Sequence, residues 1–275
     1  MKSLINFIFK INYKGLFRLI IKRPRYFFLL FKIRVIEKYT GIDPFFLSPR
    51  FLLIYFFEQK NLNKLNNYSF KKLGNYFLDV SRIKKNKPLL YSGGVGENIS
   101  FDEEFIIETN GHARLFDPTP ASCDFMKDKI SENLTFYPYA LYKENKRMKI
   151  YYDRFNQVRS NSISNFLNFN ELDFYYCETF NIPTLLKKFN DTEIDVLKLD
   201  IEGVSIEVIE NCLNNNICPD QIIVAIEVPM NYINFIKFYR NLKTFIKKLN
   251  KKYDLINLRN RSRGVEMEIL CLKKI

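Results

Sequence analysis

The sequence predicts an α/β fold, a mostly parallel sheet closed by an antiparallel hairpin at its carboxyl end and preceded by a basic helical appendage. Three observations carry this. From residue 87 onward, short apolar runs alternate with helical patterns, as in a parallel sheet wrapped by helices. The last two runs are joined by a short polar stretch, 259–264, which suits antiparallel neighbours and is too short for a parallel crossover. Ahead of both, residues 1–75 hold 15 Lys and Arg against three acids, which is +12 of the chain's net +13.

Composition narrows the class. The chain has 275 residues, 47% hydrophobic and 27% charged, enough to bury a sizeable core and unlike a disordered tail. Five scattered cysteines without a CxxC pair and one histidine, His112, argue against structural zinc and against a disulfide framework. Lys or Arg interrupts every long apolar run, and no signal-peptide pattern opens the chain, so the expectation is a cytoplasmic protein without a membrane span.

Taken in order, the runs predict strands at 88–92, 113–116, 134–137, 194–200, 221–227, 253–258 and 265–272. Helices fit at 100–109, 120–129, 204–214 and 232–248. An insertion at about 141–180, with alternating and Asn/Ser-rich stretches, predicts a hairpin and a loop. Residues 1–86 form the basic helical appendage, and 87–275 the main domain.

The candidate site lies at the carboxyl edge of this sheet, where open α/β proteins bind ligands. After the first strand comes Ser92-Gly93-Gly94-Val95-Gly96-Glu97-Asn98, a turn whose glycines let backbone approach a ligand closely. A dinucleotide fingerprint would need a third glycine where Ile99 stands, and a P-loop would need a Lys-Ser/Thr ending. The second strand ends in Phe116-Asp117-Pro118-Thr119-Pro120. Asp117 can accept hydrogen bonds from the ribose of an adenosyl cofactor, or it can cap the helix and make a turn with Pro118. The fourth strand runs Leu197-Lys198-Leu199-Asp200-Ile201-Glu202-Gly203, and Glu227 ends the next on the same edge. Asp200, Glu202 and Glu227 can orient or deprotonate a hydroxyl, or hold a divalent cation; Asp200 and Glu202 can equally start the following helix.

In this order these motifs resemble the FkbM-type family of S-adenosylmethionine (SAM)-dependent methyltransferases, over about residues 87–273. The resemblance implies a class I, Rossmann-like methyltransferase fold, whose sheet closes with an antiparallel hairpin. It implies that residues 94–98 hold the methionine end of SAM and Asp117 its ribose, with Pro118 and Thr119 beside it. Asp200 and Glu202 would then face the transferred methyl and the acceptor, with Glu227 in support. The chain departs from the family at Ser92, where an acid is usual, and at Asn98, where a glycine is usual; Glu97 or backbone carbonyls would then receive the SAM amino group. The implied activity is O-methylation of a hydroxyl, on a sugar of a bacterial surface glycan or related natural product. The alternatives are a peripheral membrane or glycan-binding protein that keeps the fold without turnover, and a nucleic-acid methyltransferase. The second is disfavoured because the Asn/Asp-Pro-Pro-aromatic turn of base methylation is absent.

In the appendage, Lys10, Lys14, Arg18 and Lys22 recur every four residues among Ile and Phe, a cationic stripe beside an apolar surface. It either packs on the main domain or meets an anionic partner, a lipid surface on the inner face of the membrane or a polyanionic acceptor. Liposome sedimentation at low and high salt separates these readings. His112 precedes the second strand, on the edge away from the site, and Cys177, Cys212 and Cys218 read as packing residues.

Overall fold

The computed structural model describes residues 49–65, 68, 70–152, 161–162, 174–229, 232–258 and 266–274. The chain divides into two compact units, 1–60 and 61–275. Of the first, the described part is most of the helix Pro49–Asn61, in which Ile54 and Phe57 are buried and Tyr55 and Phe56 exposed. The cationic stripe from Lys10 to Lys22 lies outside the described residues, as does the 259–264 connection. No helix among the described residues is long and apolar enough to cross a membrane.

The second unit opens with β1 (Asn63–Lys64), β2 (Lys71–Leu73) and β3 (Tyr76–Leu78). There follow β4 (Leu89–Gly93), β5 (His112–Phe116), β6 (Leu134–Tyr137), β7 (Ala140–Leu141), β8 (Lys146–Tyr152), β9 (Asn161–Ser162) and β10 (Phe174–Phe180). Last come β11 (Val196–Leu199), β12 (Gln221–Glu227), β13 (Tyr253–Asn257) and β14 (Glu266–Lys273). The main sheet has the order β1-β13-β14-β12-β11-β4-β5-β6. Strands β12, β11, β4, β5 and β6 pair in parallel, and β14 runs antiparallel to both β12 and β13. This is the expected parallel sheet with its closing antiparallel pair.

Burial explains which runs became central. Every residue of β11 is buried, and so is β12 up to Glu227, as expected of parallel strands covered on both faces. On one face Leu90, Leu115, Val196, Ile223 and Leu270 share a core with Phe101 and Phe105 of the helix Ser100–Thr109 and with Leu73 and Leu78. The helix Ser100–Thr109 ends at Asn110 in the left-handed conformation, φ 52°. The helix Pro120–Met126 starts on Thr119, whose hydroxyl accepts from the Ser122 amide. Helices Ser205–Asn214 and Tyr232–Leu249 complete the expected set.

Three features differ from the sequence reading. The appendage was expected to be helical throughout, but β2 and β3 form an antiparallel hairpin, and β1 pairs with β13 of the main sheet. Residues 61–86 therefore fall in the same compact unit as that sheet. The insertion is more than a hairpin: its described strands form a second sheet of order β7-β10-β8-β9, with β7 and β10 parallel. A further helix, Ile182–Phe189, lies between that sheet and β11. It is capped by the Asn181 side chain, carries Pro183 in its first turn and ends on left-handed Asn190, φ 56°.

Candidate active site

The order of the sheet reverses between β4 and β11: β5 and β6 lie to one side, β12 and β14 to the other. At the carboxyl ends of these strands, the switch point where such folds bind ligands, lies a cavity of about 260 Å³. Its polar wall comes from residues 94–97, 117–119 and 200–202, and its apolar wall includes Phe116, Leu141, Ile150 and Val204.

Backbone hydrogen bonds tie the glycine turn to both neighbouring strands. Gly94 donates to the Phe116 carbonyl (3.0 Å), and Asp200 donates to the Gly93 carbonyl (2.9 Å). Gly94 has φ +80°, and a Cβ there would overlap the Asp200 carbonyl, 2.7 Å from its carbon. Glycine is therefore required where the turn crosses the end of β11. Gly96, at φ +57°, has nothing within 4 Å of where a Cβ would stand, so its face of the turn is open.

Asp117 is buried, 5% exposed, and its carboxylate organises this turn. One oxygen accepts from the amides of Val95 (2.9 Å) and Gly96 (3.0 Å), the other from Thr119 (2.9 Å). The turn role foreseen for Asp117 is thus visible, and it extends to the glycine turn. Glu97, Pro118 and Thr119 line the cavity as expected. Ser92, Gly93 and Asn98 do not. Ser92 points from within β4 into the protein and accepts from Lys198 (3.3 Å), while Asn98 accepts from the Ser100 amide in a side-chain turn just ahead of the helix. Gly93 contributes its carbonyl to Asp200.

Of the three candidate carboxylates, Asp200 and Glu202 line the cavity. Glu227 lies behind them and accepts from the Gly203 amide (2.8 Å). It stands directly across from Glu266 in the β12–β14 register, an unfavourable like-charge pairing when both are ionised. One oxygen each of Asp200, Glu227 and Glu266 lies within 4.8 Å of the others, a spacing that suits a divalent cation. The trio weighed from sequence had Glu202 in place of Glu266.

Burial, and then the neighbouring Glu202 and Asp200 charges, hold the Glu227 carboxyl well above its ordinary value of 4.5, against the lowering effect of the Gly203 amide. A carboxyl raised by folding contributes stability that is full below its unfolded value and lost as pH rises through the folded one. A Glu227→Gln protein is therefore expected to lose less thermal stability than wild type between pH 5 and pH 8. Melting curves at the two pH values check this, and an unchanged difference would remove Glu227 as its source.

Sequence reasoning missed Tyr76, whose phenol donates to an Asp200 carboxylate oxygen (2.6 Å). Burial and the Asp200 charge hold that phenol well above its usual range. It also missed Lys198, 3% exposed, which donates to Ser92 and to the Gly94 carbonyl (3.2 Å) and lies 5.1 Å from the Tyr76 ring centroid. Lys198 stood in the quoted motif, two residues before Asp200 and so on the same strand face. Tyr76 gave no such signal. His112 lies at the amino end of β5, as expected. Burial pushes the Cys177 thiol up to about 11 and the Cys212 thiol to about 12, so both are protonated packing groups.

Residues 94–253, more than half of the chain, match the model of the methyltransferase FkbM domain family. A search of curated proteins returns no match. Among solved structures, fibrillarin from Methanococcus jannaschii aligns at 8% identity and a TM-score of 0.40, over 69% of this chain and 67% of that one. A precorrin-6y C5,15-methyltransferase from Geobacter metallireducens aligns at 12% and 0.35, over 71% and 85%. The N-methyltransferase NodS from Bradyrhizobium japonicum, in complex with S-adenosylhomocysteine, aligns at 8% and 0.34, over 71% and 83%. At such levels the family model carries the assignment.

Proposed function

We infer the reaction from one premise: this chain belongs to the FkbM methyltransferase family. It is a methyltransferase, and the reading we propose is SAM-dependent O-methylation of a hydroxyl, on a sugar of a bacterial surface glycan or related natural product. The observation that carries it is the meeting of the glycine turn and Asp200 at one cavity mouth. The open face of Gly96 and the apolar wall of Phe116, Leu141 and Val204 fit a cofactor with a polar amino-acid end and a flat base.

When bound, SAM supplies an electrophilic methyl on a sulfonium. The chain's own residues then have three tasks. The 94–97 turn and the 117–119 segment hold the cofactor. The apolar wall, to which the insertion contributes Ala140, Leu141 and Ile150, excludes water. Asp200 orients the acceptor hydroxyl and takes its proton as the new O–CH3 bond forms, which a hydroxyl needs because it is a poor nucleophile while protonated. A carboxylate-lined edge suits such an acceptor better than an amine, which attacks through its own lone pair. Glu202 and Glu227 support Asp200; alternatively, Asp200, Glu227 and Glu266 would hold a divalent cation that activates the hydroxyl by binding its oxygen.

Calorimetry is expected to show binding of SAM and S-adenosylhomocysteine but not NAD. Asp117→Ala should weaken that binding by about 1–3 kcal/mol, the scale of lost charge-assisted hydrogen bonds. Labelled methyl transfer to a panel of methyl glycosides tests the acceptor class. Binding of NAD with indifference to SAM would overturn the reading.

A further inference from the structure

The β2–β3 hairpin lies ahead of the family-matched stretch, yet it delivers a side chain to the reacting edge. Among the described residues Tyr76 is the hydrogen-bond donor to the Asp200 carboxylate, at 2.6 Å. Its position is fixed from several sides. Gly74, at φ +49°, sits so close to the helix Ser100–Thr109 that a Cβ would come within 2.5 Å of the Ser100 hydroxyl and 2.6 Å of the Phe101 amide. The Gly74 amide donates to Glu104 (2.9 Å), and Lys71 pairs with Glu108. The Tyr76 ring meets Phe101 edge to face, with centroids 5.5 Å apart. After the hairpin, the Gln221 side chain accepts from the Asp79 amide (3.0 Å) and donates to its carbonyl (2.8 Å), locking the exit to the start of β12.

We propose that Tyr76 is a positioning residue for methyl transfer: its phenol pins one oxygen of Asp200 and so presents the other to the acceptor. The proposal rests on the reading of Asp200 given above. Among the described residues, the charged groups near the Tyr76–Asp200 pair include Lys198 on β11, Glu202 after it, Glu227 on β12, and Glu266 and Glu268 on β14. Lys198 spends its described hydrogen bonds on Ser92 and Gly94, so among the described residues it is the phenol that fixes the Asp200 carboxylate. A carboxylate held this way keeps its aim, which a group that must accept a proton along one line requires.

The test needs no acceptor. Sinefungin carries an ammonium-bearing carbon where SAM has its sulfonium methyl, so its affinity relative to S-adenosylhomocysteine reports a charged, aimed carboxylate at that position. In wild type, calorimetry near neutral pH should show a preference for sinefungin that Asp200→Asn removes. Tyr76→Phe keeps the ring and its Phe101 contact and should lower the preference by about tenfold, while leaving S-adenosylhomocysteine affinity within about twofold. The double variant should lose no more than Asp200→Asn alone, because the phenol acts through that carboxylate. Should Tyr76→Phe fail to fold, ring-carbon NMR of labelled tyrosine in Asp200→Asn reads the same bond: the Tyr76 resonance moves if the pair is formed and stays if it is not. A Tyr76→Phe protein with the full sinefungin preference, or a Tyr76 resonance blind to Asp200→Asn, overturns the proposal and leaves the role of Asp200 standing. A wild type that binds neither ligand overturns the cofactor reading and the positioning role with it.

Discussion

An Asp200→Asn enzyme is expected to lose about 10²-fold or more of its turnover while keeping its affinity for SAM. The change keeps the shape of the side chain while replacing the charged acceptor of the Tyr76 phenol by a neutral amide. The Asp200 amide still donates to the Gly93 carbonyl, so the glycine turn is untouched. What disappears is a negative charge and a proton acceptor at the cavity mouth. The measurement is transfer of a labelled methyl group to an acceptor found in the glycoside panel, with calorimetry on the same protein as the binding control. Near-normal turnover would mean that Asp200 only starts the helix that follows. Loss of activity on removal of divalent cations would reassign it, with Glu227 and Glu266, to a metal centre.

Gly94→Ala should act on both binding and stability. The added methyl would overlap the Asp200 carbonyl, and the residue would have to hold φ +80°, which a side chain disfavours. Overpacking costs about 1–3 kcal/mol and left-handed backbone about 1–2 more, so denaturant unfolding should show a loss of about 2–5 kcal/mol. The relaxation that relieves the overlap would pull the turn from β11 and separate its amides from Asp117, so SAM binding should disappear over the range calorimetry can reach. Wild-type stability with normal binding would show that the turn has room to move, and Gly94 would lose its special place.

The elements legible in the sequence were those whose signal is local. β6 and β12 carry their expected boundaries because each apolar run coincides with one strand, and the helix Ser100–Thr109 begins and ends as read. The helix Ile182–Phe189 has local signals of the same kind, Asn181, Pro183 and Asn190 around the apolar positions 182, 185, 186 and 189, but it is only eight residues long and directly follows the strand that ends the insertion. The hairpin at 71–78 was hidden by its charge: Lys71 and Lys72 are exposed, and a three-residue strand gives too short an alternation to read. At the site, Asp200 and the glycine turn were visible as motif residues. Tyr76 stands 124 residues from its partner, and Glu266 meets Glu227 only once the antiparallel register is known. Ser92 was misplaced because the strand continues one residue further, to Gly93, and turns the Ser92 side chain inward. These are facts of tertiary assembly that no local pattern encodes.

The strand order also says where this protein can be cut. A fragment trimmed to the family-matched residues 94–253 would lose β4, which sits between β5 and β11, and β14, which covers β12 from Gln221 to Glu227. Such a fragment would bare apolar strands on both sides of the β11–β12 pair, and unpaired strands of that kind recruit other chains. It would also begin after the hairpin that reaches Asp200. A recombinant piece meant to stay monomeric should therefore run from about residue 61 to 274, keeping both flanks of the central pair inside one polypeptide.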